Sequence, residues 1–350
     1  MNRIAAVVAG LSLAFIGTSA TIAGTINVPG DQPTIAAAIS ASVNGDVINI
    51  AAGTYNEHSL NTAGKAITIQ GTLNADGSLA TTIDAQQGGG VFFIMSGEGS
   101  GTEIKDLVLT GGWGYAGDGF TKGGAIFIQD SSPTIIGCTI TDNQCFAGGG
   151  IFCSSAASLS IIDCVISDNE ALSGGGIYCG AGCNLAVTDC TITGNVSGQD
   201  GGGILVFQSS LSLTGCVISE NTDNGGSGGG LYVTEPVNVT LNYSVFCGNN
   251  GGQVDCESGT NCYTNNGSGI SDECGTASVI VALARQIQNL SSNINQQQSI
   301  IDAQQSAIDD LEQVIAACCA AQSCAGDENN DGVVNIEDLL IIIDAWGPCI

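Results

Sequence analysis

The sequence predicts an all-β solenoid, a parallel β-helix, followed by a coiled-coil helix and a small calcium-binding EF-hand module. Three observations predict this order: a 26-residue repeat, an unbroken series of isoleucines seven residues apart, and an acidic loop near the C-terminus. A repeat of this length is typical of solenoids. The repeated segments are short and rich in Val, Ile and Thr, and Gly and Asn separate them, so the coils are expected to be made of strands and tight turns.

The repeat is defined by three kinds of residue. Cysteines recur once in each period, and an asparagine follows each of them five positions later. A glycine triplet then precedes a short apolar run in every coil. The positions are Cys138, Cys164, Cys190 and Cys216; Asn143, Asn169, Asn195 and Asn221; and the triplets at 148–150, 174–176, 201–203 and 228–230.

Alternation along the strands assigns the cysteines to the core. In segments such as Cys164-Val165-Ile166 the first and third side chains point one way and the second points the other. Aliphatic residues share the cysteine slot, as Leu107 does, so we interpret the column as buried thiols that act as small hydrophobic residues. Disulfides between adjacent coils and redox or metal chemistry are the alternatives. The recurring asparagines predict an internal hydrogen-bonded ladder rather than a ligand site.

Two short motifs connect the repeat with a known fold. Gly123-Gly124-Ala125-Ile126 and Phe246-Cys247-Gly248-Asn249 match the GGA[ILV] and FxxN motifs, and the middle coils carry GGGI and IxxN variants. Residues 24–255 therefore resemble right-handed parallel β-helix proteins of the pectin-lyase-like class, and more closely the repeats of chlamydial polymorphic outer-membrane proteins. The resemblance implies a right-handed solenoid. It does not choose a function, because this fold hosts lyases, hydrolases, esterases and adhesins.

The N-terminal segment predicts export. Residues 1–23 combine a short basic start, an apolar run of thirteen residues from Ile4 to Ile16, and small residues for cleavage. This pattern is typical of a secretory signal peptide. Sixteen cysteines also indicate an oxidising compartment. We therefore expect a secreted or cell-surface protein without a transmembrane segment. Residues 34–41 predict a short amphipathic helix that caps the solenoid.

The charge balance limits the partners. The chain has 33 acidic and 5 basic residues, a net charge of -28, which disfavours nucleic acid and anionic membranes as partners.

Residues 256–276 predict a cysteine-rich cap or linker. This polar stretch contains Cys256, Cys262 and Cys274, and Cys247 precedes it. Four cysteines allow three disulfide pairings, and the sequence alone does not choose among them.

Residues 277–322 predict a coiled coil. Isoleucines recur every seven residues from Ile280 to Ile315, and Leu or Gln fills the position three residues later. The pattern indicates self-association as a dimer or a trimer, with a slight preference for the trimer because of Gln297 and Gln304. The alternative is a single amphipathic helix that packs on the β-helix.

Residues 323–350 predict a calcium-binding module. The ligand positions of an EF-hand loop are matched in full, with side-chain oxygens at five positions and one backbone carbonyl. The residues are Asp327, Asn329, Asp331, Val333 (carbonyl), Asn335 and Asp338. The segment resembles a dockerin repeat, in which Asp closes the loop. It departs from dockerins in having one repeat, and in carrying Ile336 and Glu337 where they have small hydroxyl residues. The alternative is an acidic loop without bound calcium.

No catalytic residue is assigned from the sequence. The lyases and esterases of this fold need an Arg or Lys at the site, but the predicted solenoid has no Arg and only three Lys residues: Lys65, Lys105 and Lys122. The one histidine, His58, is predicted to lie on the surface. Asp142, Asp168 and Asp189 are candidates for a pair of carboxylates that cleaves glycosides with inversion. Their positions are also ones that the repeat itself produces.

These features favour a non-catalytic, adhesin-like module that binds a glycan or a protein or has a structural role, is oligomerised by the coiled coil and carries calcium at its C-terminus. The alternative is a polysaccharide-degrading lyase or glycoside hydrolase of the pectin-lyase-like class. A surface site with converging carboxylates would favour the alternative.

Overall fold

The structure is a computed structural model. It describes residues 23–117, 119–234, 238–257 and 262–271, together with helical positions 298, 301, 304–306 and 308. The chain divides into two compact units, Met1–Arg285 and Gln286–Ile350. The predicted signal peptide up to residue 22, the calcium module and most of the predicted coiled coil lie outside the described residues.

Within the described residues, the strands form four parallel sheets. The ten-stranded sheet contains Thr25–Val28, Val47–Ile50, Thr68–Gln70, Glu103–Lys105, Thr134–Ile136, Ser158–Ile162, Asn184–Thr188, Ser210–Thr214, Asn238–Asn242 and Tyr263–Asn266. The nine-stranded sheet contains Gly53–Tyr55, Thr81–Asp84, Val108–Thr110, Thr139–Thr141, Val165–Ser167, Thr191–Thr193, Val217–Ser219, Val245–Cys247 and Gly269–Ser271.

Two further sheets carry the rest of the coils, and the four-stranded one is present only in the middle coils. The four-stranded sheet contains Gln144–Ala147, Glu170–Ser173, Val196–Asp200 and Thr222–Asp223. The eight-stranded sheet contains Leu60–Asn61, Phe92–Ile94, Ile126–Gln129, Ile151–Ser154, Ile177–Cys179, Ile204–Val206, Leu231–Val233 and Val254–Cys256. In the middle coils the chain passes through the ten-, nine-, four- and eight-stranded sheets in turn, and the earlier coils omit the four-stranded sheet. Each strand pairs in parallel with its equivalent in the next coil, which confirms the predicted parallel β-helix.

A short helix, Ile35–Ala41, follows the first strand, as predicted. The Thr34 hydroxyl accepts a hydrogen bond from the Ala37 amide at 3.1 Å, and the Glu57 carboxylate accepts from the Ile35 amide at 2.8 Å. These contacts satisfy amides that the first helical turn leaves unpaired. Ile35 and Ile39 are buried in the core.

The cysteine column is buried and reduced, as the alternation predicts. Cys138, Cys164, Cys190 and Cys216 are free thiols, each 1% exposed. Parallel in-register strands keep stacked Cβ atoms about 4.8 Å apart, whereas a disulfide brings them to about 3.8 Å. The thiols therefore bond to the backbone instead: Cys164 Sγ lies 3.2 Å from the Ile162 carbonyl.

The asparagines form the predicted ladder. The Oδ1 atom of Asn195 accepts hydrogen bonds from the backbone amide and the Nδ2 atom of Asn169, at 3.1 and 3.0 Å. Asn195 Nδ2 then donates to Asn221 Oδ1 and to the Ile166 carbonyl, both at 2.9 Å. The column continues to Asn249, whose Nδ2 donates to Gln253 Oε1 at 2.7 Å.

Left-handed turn residues flank the nine-stranded sheet in every middle coil. Asp163 and Asp168 have φ angles of 52° and 55°, a region that Asp, Asn and Gly tolerate better than other residues. The glycine triplets are required for a different reason, the close approach of adjacent coils. A Cβ atom at Gly149 would lie 2.3 Å from the Gly175 carbonyl oxygen of the next coil, so only glycine allows the two coils to approach.

Strand pairing continues into the segment predicted as a cap or linker. Tyr263–Asn266 pairs with Asn238–Asn242, and Gly269–Ser271 pairs with Val245–Cys247. Val239 pairs with Tyr263, so this last coil is shorter than the regular period. The Cys256–Cys262 disulfide lies in this coil, and Cys247 is also disulfide-bonded.

Candidate functional site

An aromatic column covers the outer face of the eight-stranded sheet. The outward residues of successive coils are Asn61, Phe93, Phe127, Phe152, Tyr178, Leu205, Tyr232 and Asp255. Phe127 and Phe152 stack with ring centroids 5.5 Å apart, and Phe152 and Tyr178 stack at 5.0 Å. Stacked rings one coil apart form a rigid apolar surface.

A hairpin covers the middle of this column. Tyr115 and Lys122 pair in an antiparallel bridge, and the Tyr115 ring stacks on Phe127 at 4.8 Å. Lys122 Nζ lies 5.5 Å from the centre of the Phe152 ring. Phe127 and Phe152 are consequently buried, at 4% and 7% exposure. They therefore stabilise the fold and are not available to a ligand.

Beyond the hairpin, the column meets several carboxylates. Tyr178 and Tyr232 are half-buried, and Asp255 continues the column as the register partner of Tyr232. Asp200 ends a strand of the four-stranded sheet, and Glu257 lies exposed just after the last strand of the eight-stranded sheet. We call these five residues the tyrosine–carboxylate cluster.

A β-bulge gives Asp200 its place in the cluster. Ala171 pairs with Ser197, but Ser173 pairs with Asp200, so the strand Val196–Asp200 holds one residue more than its neighbour. Such bulges re-aim side chains and occur often beside functional sites. The Asp200 carbonyl still accepts a hydrogen bond from Gly174 at 2.9 Å, so the chain returns to register at the glycine triplet.

Asp223 is a buried carboxylate next to the cluster, where its charge acts on Asp200. Its side chain is 4% exposed and accepts hydrogen bonds from the Ser197 hydroxyl at 2.6 Å and the Gly225 amide at 3.2 Å. A third hydrogen bond comes from the Ser227 amide. These donors satisfy a carboxylate that cannot reach solvent.

The cluster is electrostatically coupled. Burial raises the pKa of the Asp200 carboxyl above its ordinary value, and the negative charges of Asp223 and Glu257 raise it further. Burial, followed by the charges of Asp200, Glu257 and Asp255, raises the pKa of the Tyr232 hydroxyl. Burial and Asp200 raise the pKa of the Tyr178 hydroxyl in the same way. Asp200 is thus the residue that all of these interactions share.

The three aspartates singled out from the sequence lie elsewhere. Asp142 and Asp168 occupy equivalent left-handed turns of adjacent coils, whereas Asp189 lies in the turn on the other side of the nine-stranded sheet. Asp142 accepts a hydrogen bond from the Thr141 hydroxyl at 3.2 Å. His58 is exposed, as predicted, and its Nδ1 atom lies 3.0 Å from the Ser59 hydroxyl.

The six predicted calcium ligands, Asp327, Asn329, Asp331, Val333, Asn335 and Asp338, lie outside the described residues. Within residues 23–117, 119–234, 238–257 and 262–271, no group of three or more His, Cys, Asp or Glu side chains is arranged to hold a metal ion. The same part of the chain contains no helix that is long and apolar enough to cross a bilayer.

Sequence reasoning missed the tyrosine–carboxylate cluster, although one signal was present. The glycine triplets that begin at 148 and 174 are separated by one regular period, but the step from 174 to 201 is one residue longer. The step from 201 to 228 is also one residue longer, whereas Asn169, Asn195 and Asn221 keep the regular spacing. An extra residue between the asparagine and the triplet marks a bulge, and the first lengthened segment ends at Asp200. The outward positions of the eight-stranded sheet, Tyr178 and Tyr232 among them, also stand between two core positions in each apolar run.

Comparisons with known proteins agree with this architecture. Residues 56–210 and 89–282 match the family model of the right handed beta helix region. No curated protein matches the chain in sequence.

Among solved structures, the chain is similar to a pectin methylesterase from Aspergillus niger, with 16% identity and a TM-score of 0.46, over 72% of this chain and 86% of that one. Pectate lyase Pel9A has 14% identity and a TM-score of 0.46, over 65% and 64% of the two chains. Rice weevil pectin methyl esterase has 15% identity and a TM-score of 0.36, over 70% and 88%. The match to the family model covers more than half of the sequence, and the chain therefore belongs to the family of proteins with a right-handed β-helix region.

Proposed function

We propose that this protein is secreted or displayed at the cell surface and binds a glycan, without cleaving it, at the tyrosine–carboxylate cluster. In this proposal the coiled coil multiplies the binding sites and the C-terminal module binds calcium. The observation that carries the proposal is the placement of Tyr178 and Tyr232 in one outward column beside Asp200 and Asp255. A sugar ring needs a flat apolar surface for its C–H face and acceptors for its hydroxyls, and this arrangement supplies both.

The charge of the protein narrows the glycan class. No described Lys belongs to the cluster: Lys65 donates to the Ile39 carbonyl, Lys105 pairs with Glu103, and Lys122 lies over Phe152. An acidic polymer would meet uncompensated carboxylates and a chain with a net charge of -28. The expected ligand is therefore an uncharged glycan or one that carries free amino groups.

Two features support an extracellular location. The described residues contain the disulfides Cys153–Cys183 and Cys256–Cys262, which persist in oxidising compartments. The predicted signal peptide at residues 1–23 points the same way. Calcium is plentiful outside cells, so a module with modest affinity would remain loaded there.

The test is a binding and cleavage assay on a panel of neutral, amino and acidic polysaccharides. The natural chain is expected to bind a neutral or amino polysaccharide and to release no reducing ends. Tyr232→Ala should weaken binding about tenfold, roughly 1.4 kcal/mol. Tyr243→Ala is the matched control, because Tyr243 is exposed and lies in a turn outside the cluster. Equal losses in both variants, or binding to acidic polymers alone, would overturn the proposal.

The second candidate function is glycoside hydrolysis, and the raised pKa of Asp200 favours it. A carboxyl with a raised pKa can donate a proton to the glycosidic oxygen, while a second carboxyl group of the cluster, that of Glu257, could activate water. The same assay separates the two functions. A hydrolase would release reducing ends, and Asp200→Asn would abolish the release while binding persists.

A further inference from the structure

A groove of about 670 Å³ lies at the N-terminal end of the ten-stranded sheet, on its outer face and at the end of its first strands. It is separate from the tyrosine–carboxylate cluster, which lies on a different sheet. The groove crosses three consecutive coils. Its lining comes from residues 27–30 of the first coil, 49–51 of the second and 70–73 of the third.

The shape of the groove follows from the loops of these coils. Pro29 and Gly30 of the first coil line one side of the groove, and the third coil continues into a hairpin closed by a bridge between Leu73 and Leu79. The second coil has no such insertion, since Ile50 is followed almost directly by the strand Gly53–Tyr55. The groove is therefore a recess above the second coil. Its two walls are two strand spacings apart, roughly 10 Å, which admits one extended polymer chain.

The chemistry of the lining is uncharged. Asn27, Asn49 and Gln70 are register partners and present a column of outward amides. Asn27 is held by Asp31, whose Oδ2 atom accepts from the Asn27 Nδ2 atom at 2.8 Å. The amides of Asn49 and Gln70 point outward without a hydrogen-bond partner among the described residues. No Asp, Glu, Lys or Arg lines the groove, although the chain carries 33 acidic residues.

The floor of the groove is preorganised. The strand Val47–Ile50 pairs with a neighbour on both sides, so its backbone has no free edge. The Tyr55 hydroxyl lies 3.1 Å from the Ala51 carbonyl and 3.4 Å from the Val28 carbonyl, below the groove. The Thr72 hydroxyl donates to the Ile50 carbonyl at 2.8 Å. Because a peptide is usually captured at a free strand edge, this floor does not suit one.

We infer that the groove is a second glycan-binding site, specific for an uncharged saccharide chain that is read by Asn49 and Gln70. Side-chain amides donate and accept hydrogen bonds, which matches the paired donors and acceptors of sugar hydroxyls. Leu73, 45% exposed, together with Pro29 gives the walls an apolar surface for the C–H faces of the sugar rings. Because the two sites lie on different sheets, the solenoid would hold glycan chains at two separate points.

The test measures binding of uncharged hexasaccharides of glucose, mannose, galactose and xylose to the full chain, by saturation-transfer NMR and calorimetry. At least one hexasaccharide should bind, and Asn49→Ala combined with Gln70→Ala should weaken its affinity at least tenfold. Ala51→Phe, which fills the recess and leaves both amides, should also block it. A hexasaccharide of galacturonic acid should not compete.

The matched control is Asn242→Ala combined with Asn266→Ala, since these amides stand in the same outward column at the other end of the sheet. Binding should survive in this control. It should also survive in Tyr232→Ala, which separates the groove from the proposed function. The inference is overturned if no neutral hexasaccharide binds, if the control loses as much affinity as the Asn49/Gln70 variant, or if Tyr232→Ala alone removes all binding.

Discussion

Residues at equivalent positions of successive coils share one environment, so the few that break the pattern stand out. Cys164 illustrates the rule: its neighbours in the column are also free, buried thiols. Ser244 occupies the same slot in a later coil, and its hydroxyl bonds to the Asn242 carbonyl as the thiols bond to theirs. Asp200 illustrates the exception, because the bulge removes it from the repeat.

Asp200→Asn should stabilise the protein at neutral pH. Because the folded state raises the pKa of this carboxyl, the folded protein holds its proton more tightly than the unfolded chain does. The associated stability is complete below the unfolded pKa and is lost as pH rises through the folded pKa. Removing the charge should therefore raise the melting temperature by roughly 1 °C at pH 7, since the site is partly solvent-screened.

The advantage of Asp200→Asn should vanish in acid, below about pH 4, where the natural side chain is protonated as well. Thermal melts across this pH range measure the difference. Asp163→Asn serves as the control, because Asp163 is an exposed turn residue of the repeat. A variant that is equally stabilised at every pH would contradict the assignment.

At the scale of elements, the asparagine ladder is the feature that ties coils together inside the turns. Each rung combines side-chain and backbone bonds, and all of its members are buried, with Asn169, Asn195 and Asn221 at 0% exposure. A buried hydrogen-bond network of this kind stabilises the fold when every member is paired, and the loss of one member lowers the free energy of unfolding.

Asn195→Ala should destabilise the protein by about 2–4 kcal/mol, because it removes the acceptor of the Asn169 amide and the donor to the Ile166 carbonyl and leaves both buried without their partner. Asn184→Ala is the matched control, because Asn184 lies exposed on the outer face of the ten-stranded sheet. The control should lose no more than about 0.5 kcal/mol of stability, as is usual for surface substitutions. Chemical denaturation measures the free energy of unfolding of both variants. Equal losses of stability would mean that the ladder contributes little to it.

The elements that repeat were predictable from the sequence, and those that break the repeat were not. The period and the alternation placed Cys164, Ile166 and Asn169 in the core, and the structure confirms it. A disulfide between adjacent coils was an open alternative, but the pair Cys153–Cys183 was not identified, because its sequence separation of 30 places it on the diagonal between coils, whereas stacked cysteines are separated by 26. The strands after Cys256 were missed because polar residues and a shorter coil hide their register. Neither the tyrosine–carboxylate cluster nor the N-terminal groove was predicted, since both depend on loops and an insertion.

At the scale of the whole molecule, the predicted coiled coil would set how many solenoids act together. The helical positions Ile301 and Ile308 are 54% and 48% exposed in the single chain, which fits a surface that a second copy would cover. Ile294→Asn combined with Ile301→Asn should convert the oligomer to a monomer and leave the β-sheet spectrum unchanged. Sedimentation velocity measures the change, with Gln298→Asn as the control. A natural chain that is already monomeric at micromolar concentration would remove the prediction.

The predicted calcium module should respond to the ion through Trp346. Calcium is expected to order the loop formed by residues 327–338 and the helix that follows it, with an affinity of about 10⁻⁴ M or tighter. Fluorescence of Trp346 should change on titration, whereas Trp113, which is 42% exposed in the solenoid, should not respond. Asp327→Ala combined with Asp338→Ala should abolish the response. Calorimetry that detects no heat at millimolar calcium would show that the loop is not an EF-hand.

The way the asparagine ladder ends allows the solenoid to be lengthened by whole coils. Asn249 Nδ2 donates to the side chain of Gln253, four residues later, so the last asparagine of the ladder has a hydrogen-bond partner without a further coil. A tandem duplication of the codons for residues 169–194 would therefore add one rung, and the new Asn169 would meet an asparagine on each side, as its parent copy does. Duplications of one full repeat can therefore lengthen the solenoid by one coil at a time. A copy of any other length must be absorbed in a loop or a bulge, as the extra residue before Asp200 is.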